Sequence, residues 1–157
     1  AGSMILSADK KKNGILSTKI YSDGEWIDSL YADGGPSLNQ RVGKIRMKGQ
    51  DIFKQAVTKL SQATENALRE CNLNKEDINW FVPHQANQRI ILSTAKKLGI
   101  GEKKTISTVE NHANTSAASI PLAISSAMKS GKIKKNDILA LCAIGGGLTW
   151  GSCILKI

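Results

Sequence analysis

Three short stretches carry the residue types that can do chemistry. Trp80-Phe81-Val82-Pro83-His84-Gln85-Ala86-Asn87 is an apolar run that ends in a histidine and two amides. Asn111-His112-Ala113-Asn114-Thr115-Ser116 is a second polar knot, and Gly145-Gly146-Gly147 follows another apolar run. His84 at a strand end can act as base, acid or hydrogen-bond donor near neutral pH. Gln85 and Asn87 add amides at the same turn, which sets His84 apart from a lone satisfied histidine. Asn114 stands before a helical pattern, so it is either an N-cap or a ligand group. The triple glycine lets the backbone turn sharply; its N–H groups form either a tight hairpin or a cradle for an oxyanion. His112 is given no chemistry.

The elements that must position these groups are legible as patterns. Residues 50–71 repeat apolar side chains at three and four residue spacing and predict a helix, with Asp51 at its positive end. Residues 77–83 predict a buried strand, and 86–98 a second helix stopped by Gly99. A β-branched strand is expected at 105–109 and a helix at 115–128, its start lined with small residues for close packing. Strands at 138–144 and 149–157 flank the glycines. Upstream, 4–7 and 15–21 predict a hairpin across Lys10-Lys11-Lys12-Asn13-Gly14, and 21–48 an irregular covering segment anchored by Trp26, Ile27, Leu30 and Tyr31. Alternating strands and helices imply an α/β fold with a mixed, mainly parallel sheet between helices. Ligand sites in such sheets lie at the carboxyl ends of strands, where His84 falls.

Composition narrows the function. The 157 residues suit one domain or half of a two-part fold. No apolar run is long enough to cross a bilayer, and the start is not a signal peptide, so a cytoplasmic protein is expected. The three cysteines, Cys71, Cys142 and Cys153, form no CxxC pair and no metal-ligand spacing, so free thiols and no metal are expected. The charge of +9 comes mainly from lysines at ordinary solvent positions, with no basic segment interleaved with aromatics. Neither nucleic acid nor membrane is the expected partner.

The three stretches together carry a family resemblance. Val82-Pro83-His84-Gln85-Ala86-Asn87, Ala113-Asn114-Thr115-Ser116-Ala117-Ala118-Ser119-Ile120-Pro121 and Gly145-Gly146-Gly147-Leu148-Thr149-Trp150-Gly151 resemble the motifs of β-ketoacyl-acyl-carrier-protein synthase III, the condensing enzyme that starts bacterial fatty-acid synthesis. The resemblance implies the C-terminal half of a thiolase-like fold, half of a five-layer αβαβα sandwich. Residues 1–23 then read as the last hairpin of the N-terminal half, 24–49 as a covering linker and 50–157 as the C-terminal domain. A chain that begins almost inside a hairpin is expected to be truncated.

The same resemblance assigns roles. His84 and Asn114 match the histidine and asparagine of a Cys-His-Asn triad, donating to the malonyl thioester oxygen as CO2 leaves. Gly146 matches an oxyanion-hole donor, and Asn87 a position beside the pantetheine arm of CoA. Lys54, Arg89, Lys96 and Lys97 match the docking patch for acidic acyl carrier protein; for Lys96 and Lys97 an ordinary solvated helix face stays open. The implied substrates are acetyl-CoA or another acyl-CoA and malonyl-acyl carrier protein, with no cofactor, and the implied assembly is a homodimer completed by the missing N-terminal half. No cysteine present fits the nucleophile. Ile144 stands where many relatives carry phenylalanine, and Ala113 where many carry glycine. A non-catalytic module that binds carrier protein, and a polyketide or quinolone condensing enzyme of the same fold, are the competing readings.

Overall fold

The computed structural model describes residues 1–8 and 13–157. Strand β1 (Gly14–Ser22) opens the ordered elements, followed by a one-turn segment (Gly24–Ser29) and the short strands β2 (Leu30–Ala32) and β3 (Ile45–Met47). Helix α1 (Gly49–Glu70) leads to β4 (Trp80–Pro83), α2 (Gln88–Leu98), the single-turn α3 (Val109–His112), α4 (Ser119–Lys129) and the strands β5 (Ile138–Gly145) and β6 (Thr149–Lys156).

Helix α1 forms where the pattern placed it. Its buried residues Ile52, Ala56, Leu60, Ala63, Ala67 and Leu68 make one stripe. Past its end, Asn72 takes a left-handed conformation (φ 56°) and Leu73 donates its N–H to the Leu68 carbonyl at 3.0 Å. This closes the last turn as an asparagine at this position characteristically does. Helix α2 ends the same way at Gly99 (φ 73°).

The main sheet runs β1-β6-β5-β4. Consecutive residues of its strands point to opposite faces. Phe81, Ala140 and Ile154 pack under α1 and α2 with Leu60, Leu68 and Leu98. Their neighbours Val82, Leu139 and Leu155 pack on the other side with Ala123, Ile124 and Ala127 of α4. The sheet is thus sandwiched between helices, and β4 is buried on both faces.

Three expectations change. The sheet is mixed, but β4–β5 is its only parallel ladder among the described residues; β5–β6 and β6–β1 are antiparallel. A short turn can join only antiparallel strands, and β5 and β6 are joined by one. The hairpin expected across 10–14 is not formed among the described residues: residues 4–7 are not a strand, and residues 9–12 of its turn lie outside the described residues. The 14–22 strand pairs antiparallel with β6, at one edge of the main sheet. The strand at 105–109 shrinks to one bridge, Phe81 to Thr105, with the Ile106 N–H on the Phe81 carbonyl at 2.9 Å. Beyond it, a side chain replaces the ladder, as described below.

Candidate active site

His84 follows the last residue of β4, and its backbone N–H continues the sheet by donating to the Cys142 carbonyl at 2.8 Å. Its ring is half-buried, with Nδ1 2.7 Å from Ser119 Oγ at the start of α4. Burial pushes the imidazole pKa below its ordinary value, which favours the neutral ring. The Ser119 hydroxyl also accepts the Gln85 N–H at 3.2 Å.

Gln85 faces the other way from the site. It is fully buried, and its amide does the work of the missing strand. Nε2 donates to the Pro83 carbonyl at 2.7 Å and to Ile106 at 3.3 Å, while Oε1 accepts the Thr108 N–H at 2.7 Å. This clip ties the end of β4 to the segment that runs through α3 into Asn114. The sequence placed Gln85 among the site amides; the structure makes it the link that holds the His84 turn to the Asn114 loop.

Asn114 is exposed, and its Oδ1 accepts the Ser116 N–H at 2.9 Å. The cap and ligand readings therefore use different ends of one amide. Oδ1 braces the loop, and Nδ2 has no protein partner among the described residues. The loop is strained on both sides. Ala113 sits at φ 53°, ψ −161°, and Ser116 at φ 54°. The Ala113 conformation belongs to a region that glycine alone occupies freely, at a cost of about 1–3 kcal/mol for other residues. Glycine itself costs roughly 0.5–1 kcal/mol in chain entropy. Ala113→Gly is therefore expected to stabilise the fold by about 1 kcal/mol, read as a higher urea midpoint at unchanged slope. An unchanged or lower midpoint would show that the loop is not strained there.

Asn87 is the N-cap of α2, accepting the Arg89 N–H at 2.8 Å, a role the sequence pattern missed by starting the helix at 86. Gly146 lies against β2: a side chain here would meet the Leu30 carbonyl at 2.7 Å. Gly147 has φ +135°, so both glycines are required by the backbone. The turn is pinned by a reciprocal pair of 2.8 Å bonds between the backbones of Asp23 and Leu148. Asp23 in turn pairs with Lys59 at 3.0 Å, which holds its carboxyl below the usual carboxylate range. The Lys59 ammonium lies 4.0 Å from the centroid of Trp150, which stacks on Tyr21.

These parts meet at one cavity of about 1120 Å³, lined by His84, Asn87, Arg89, Asn114 and Gly146. The ribbon of β2 and β3 forms another wall through Leu30, Tyr31, Ile45 and Met47. The covering segment thus reaches the site, although Ile27 and Tyr31, expected as anchors, are largely exposed. His84, Ser116, Ile144 and Gly145 also line an adjoining recess of about 500 Å³, walled by Ile20, Ile120 and Trp150. Lys54, Lys96 and Lys97 do not line the cavity. They are exposed on α1 and α2, where Lys97 reaches Thr58 at 3.1 Å and Arg89 lies over the ring of Phe53 at 5.5 Å.

None of the three thiols lines either cavity. Burial pushes Cys142 up to about 12 and raises Cys153, and Cys71 Sγ points at the Ala67 and Leu68 carbonyls at the end of α1. Among the described residues no three His, Cys, Asp or Glu are grouped to hold a metal ion, and no helix is long and apolar enough to cross a membrane.

Residues 68–157, more than half of the chain, match the family described as 3-oxoacyl-acyl-carrier-protein (ACP) synthase III, C terminal. The chain belongs to this synthase III family. A β-ketoacyl-acyl-carrier-protein synthase III of Sphingopyxis alaskensis is 46% identical over the whole chain, which spans 50% of that protein. The crystal structure of the 3-oxoacyl-acyl-carrier-protein synthase III of Aquifex aeolicus superposes with a TM-score of 0.89 at 39% identity, over 96% of this chain and 47% of that one. The priming β-ketosynthase of the R1128 polyketide pathway superposes with a TM-score of 0.84 at 30% identity, over 92% and 45%. The fold is therefore the thiolase-like one that the motifs implied, and the chain spans about half the length of the synthase III relatives it matches.

Ser119 is the site residue that the sequence did not reveal as such. It read as a small packing residue, and no spacing connects position 119 to position 84.

Proposed function

We propose that this chain is the histidine–asparagine side of a synthase III condensing site. The whole protein would be an acyltransferase that joins acetyl-CoA or another short acyl-CoA to malonyl-acyl carrier protein in the cytoplasm, as a homodimer and without a cofactor. Residues 50–157 would be its C-terminal domain. The observation that carries the reading is the shared cavity: His84, Asn114 and Gly146 meet there with Asn87 and Arg89 at its wall.

The chemistry follows from donors placed where charge develops. As the malonyl carboxylate leaves as CO2, its bonding electron pair passes into an enolate whose charge rests on the thioester oxygen. His84 and Asn114 donate hydrogen bonds to that oxygen, stabilising the transition state more than the ground state. The enolate carbon then attacks an acyl thioester; a carbon–carbon bond forms and a cysteine thiolate leaves. The Gly146 N–H serves the oxyanion of that second step. The cysteine belongs to the other half of the protein, seated at the recess beside His84, because none of the three thiols here is suited to the task.

Incubating acyl-CoA and malonyl-acyl carrier protein with the complete protein tests the reading. It should yield ketoacyl-carrier protein and CO2, and this chain alone should yield none. No ketoacyl product from the complete protein would end the proposal. The likeness to a polyketide priming enzyme favours one second reading, a condensing enzyme with the same site and a different acyl group. The acyl-CoA turnover profile separates the two.

Carrier-protein docking on Lys54, Arg89, Lys96 and Lys97 is part of the proposal. It rests on positive charge on two packed helices beside the cavity, facing a strongly acidic partner. Arg89→Glu is expected to raise the KM for malonyl-acyl carrier protein about tenfold or more at low salt. The KM for acyl-CoA should move much less. Equal losses for both substrates would remove Arg89 from the docking surface.

A further inference from the structure

The contact between His84 and Ser119 decides more than the position of the ring. A serine hydroxyl has one proton to donate and lone pairs to accept with, and a neutral imidazole has one donor and one acceptor nitrogen. Ser119 is only 2% exposed, and its hydroxyl has no partner besides His84 and Gln85 among the described residues. One lone pair of Oγ already accepts the Gln85 N–H at 3.2 Å. Two arrangements of the remaining contact are available.

In the first, Nδ1 carries the ring proton and donates to Oγ. The hydroxyl then accepts twice, and its own proton is buried with no other acceptor among the described residues. In the second, the hydroxyl donates to Nδ1 across the 2.7 Å contact. Every polar group of the cluster is then paired, as buried polar groups overwhelmingly are. The ring proton must sit on Nε2, the nitrogen that no described residue engages and that is left for the cavity. Burial supports the same picture by keeping the ring neutral.

We infer that Ser119 is the positioning residue of His84: its hydroxyl fixes the imidazole as the Nε2–H tautomer, so that His84 meets a ligand as a hydrogen-bond donor and not as a base. The family resemblance gives this histidine the donor role; the new element is the buried hydroxyl that holds the ring ready for it. The inference deepens the proposed function and rests on it for the identity of the oxygen that receives the bond. The tautomer itself is a property of the protein without substrate.

Histidine labelled with 15N in the complete protein that carries this chain gives the test. The His84 signals are assigned by their loss in His84→Gln. At neutral pH, Nδ1 is expected in the range of an unprotonated imidazole nitrogen and Nε2 in that of a protonated one, well separated. In Ser119→Ala the two shifts are expected to converge as both tautomers become populated, an effect that a loss of packing alone does not produce. A wild-type spectrum with the proton on Nδ1 would overturn the inference. So would a folded Ser119→Ala protein whose two shifts stay apart as in the wild type. If Ser119→Ala does not fold, the wild-type spectrum alone still decides. The condensing function fails separately, on product formation, whichever tautomer is found.

Discussion

Replacing His84 by alanine in the complete enzyme is expected to lower malonyl-thioester decarboxylation about a hundredfold to a thousandfold. That is the loss typical of removing one preorganised donor from a developing oxyanion. Asn114→Ala should behave alike, because Asn114 lines the same cavity as His84. In the proposed site the two donors serve one oxygen. The double variant should therefore lose less than the product of the single losses, as residues acting as a unit do. The loss should appear in kcat with a smaller change in KM, since the bonds strengthen only as charge builds. Acyl transfer from acyl-CoA should be far less affected. Steady-state CO2 release and single-turnover acylation measure the two halves separately. Equal damage to both would mean that His84 shapes the pocket generally rather than the decarboxylation step.

Gln85→Met is expected to cost more stability than any surface change in this chain. The substitution keeps an unbranched side chain of similar length in a fully buried position. It removes the acceptor for the Thr108 N–H and the donor to the Pro83 and Ile106 carbonyls. Leaving one buried polar group unpaired costs about 1–3 kcal/mol, so three groups together should cost at least about 3 kcal/mol. A urea titration would show this as a large fall in midpoint at constant slope. A fall of less than about 1 kcal/mol would mean that water or a shifted backbone takes over these bonds. Decarboxylation should fall too, because the clip connects the His84 turn to the segment carrying Asn114.

The parts legible in the sequence were those fixed by local pattern. The apolar run into Pro83 located the end of β4, and with it His84. Three- and four-residue spacing located α1 and α2, and Asn72 and Gly99 marked their ends, because left-handed residues there have a local cause. Asn114 and Gly146 were singled out by their flanking motifs, and both line the cavity that His84 lines. What stayed hidden depends on distant pairs. Residues 4–7 and 15–21 both read as strands, yet only the latter finds a partner among the described residues, and that partner is β6 at the far end of the chain. Propensity alone made 105–109 a strand; Gln85 took over its backbone bonds, so the ladder ended at one bridge. Ser119 reaches His84 across 35 positions, and nothing in the small-residue run 116–119 announces which serine faces the ring.

The central claim is that this chain holds the decarboxylation half of a condensing site. It is tested most directly by CO2 release from malonyl-acyl carrier protein in the complete enzyme with its nucleophilic cysteine replaced by alanine. Condensation is then impossible, and only the enolate-stabilising side remains. CO2 release is predicted to persist in that protein and to fall to the uncatalysed level when His84→Ala and Asn114→Ala are added. CO2 release that is unchanged by the loss of His84 and Asn114 would contradict the account.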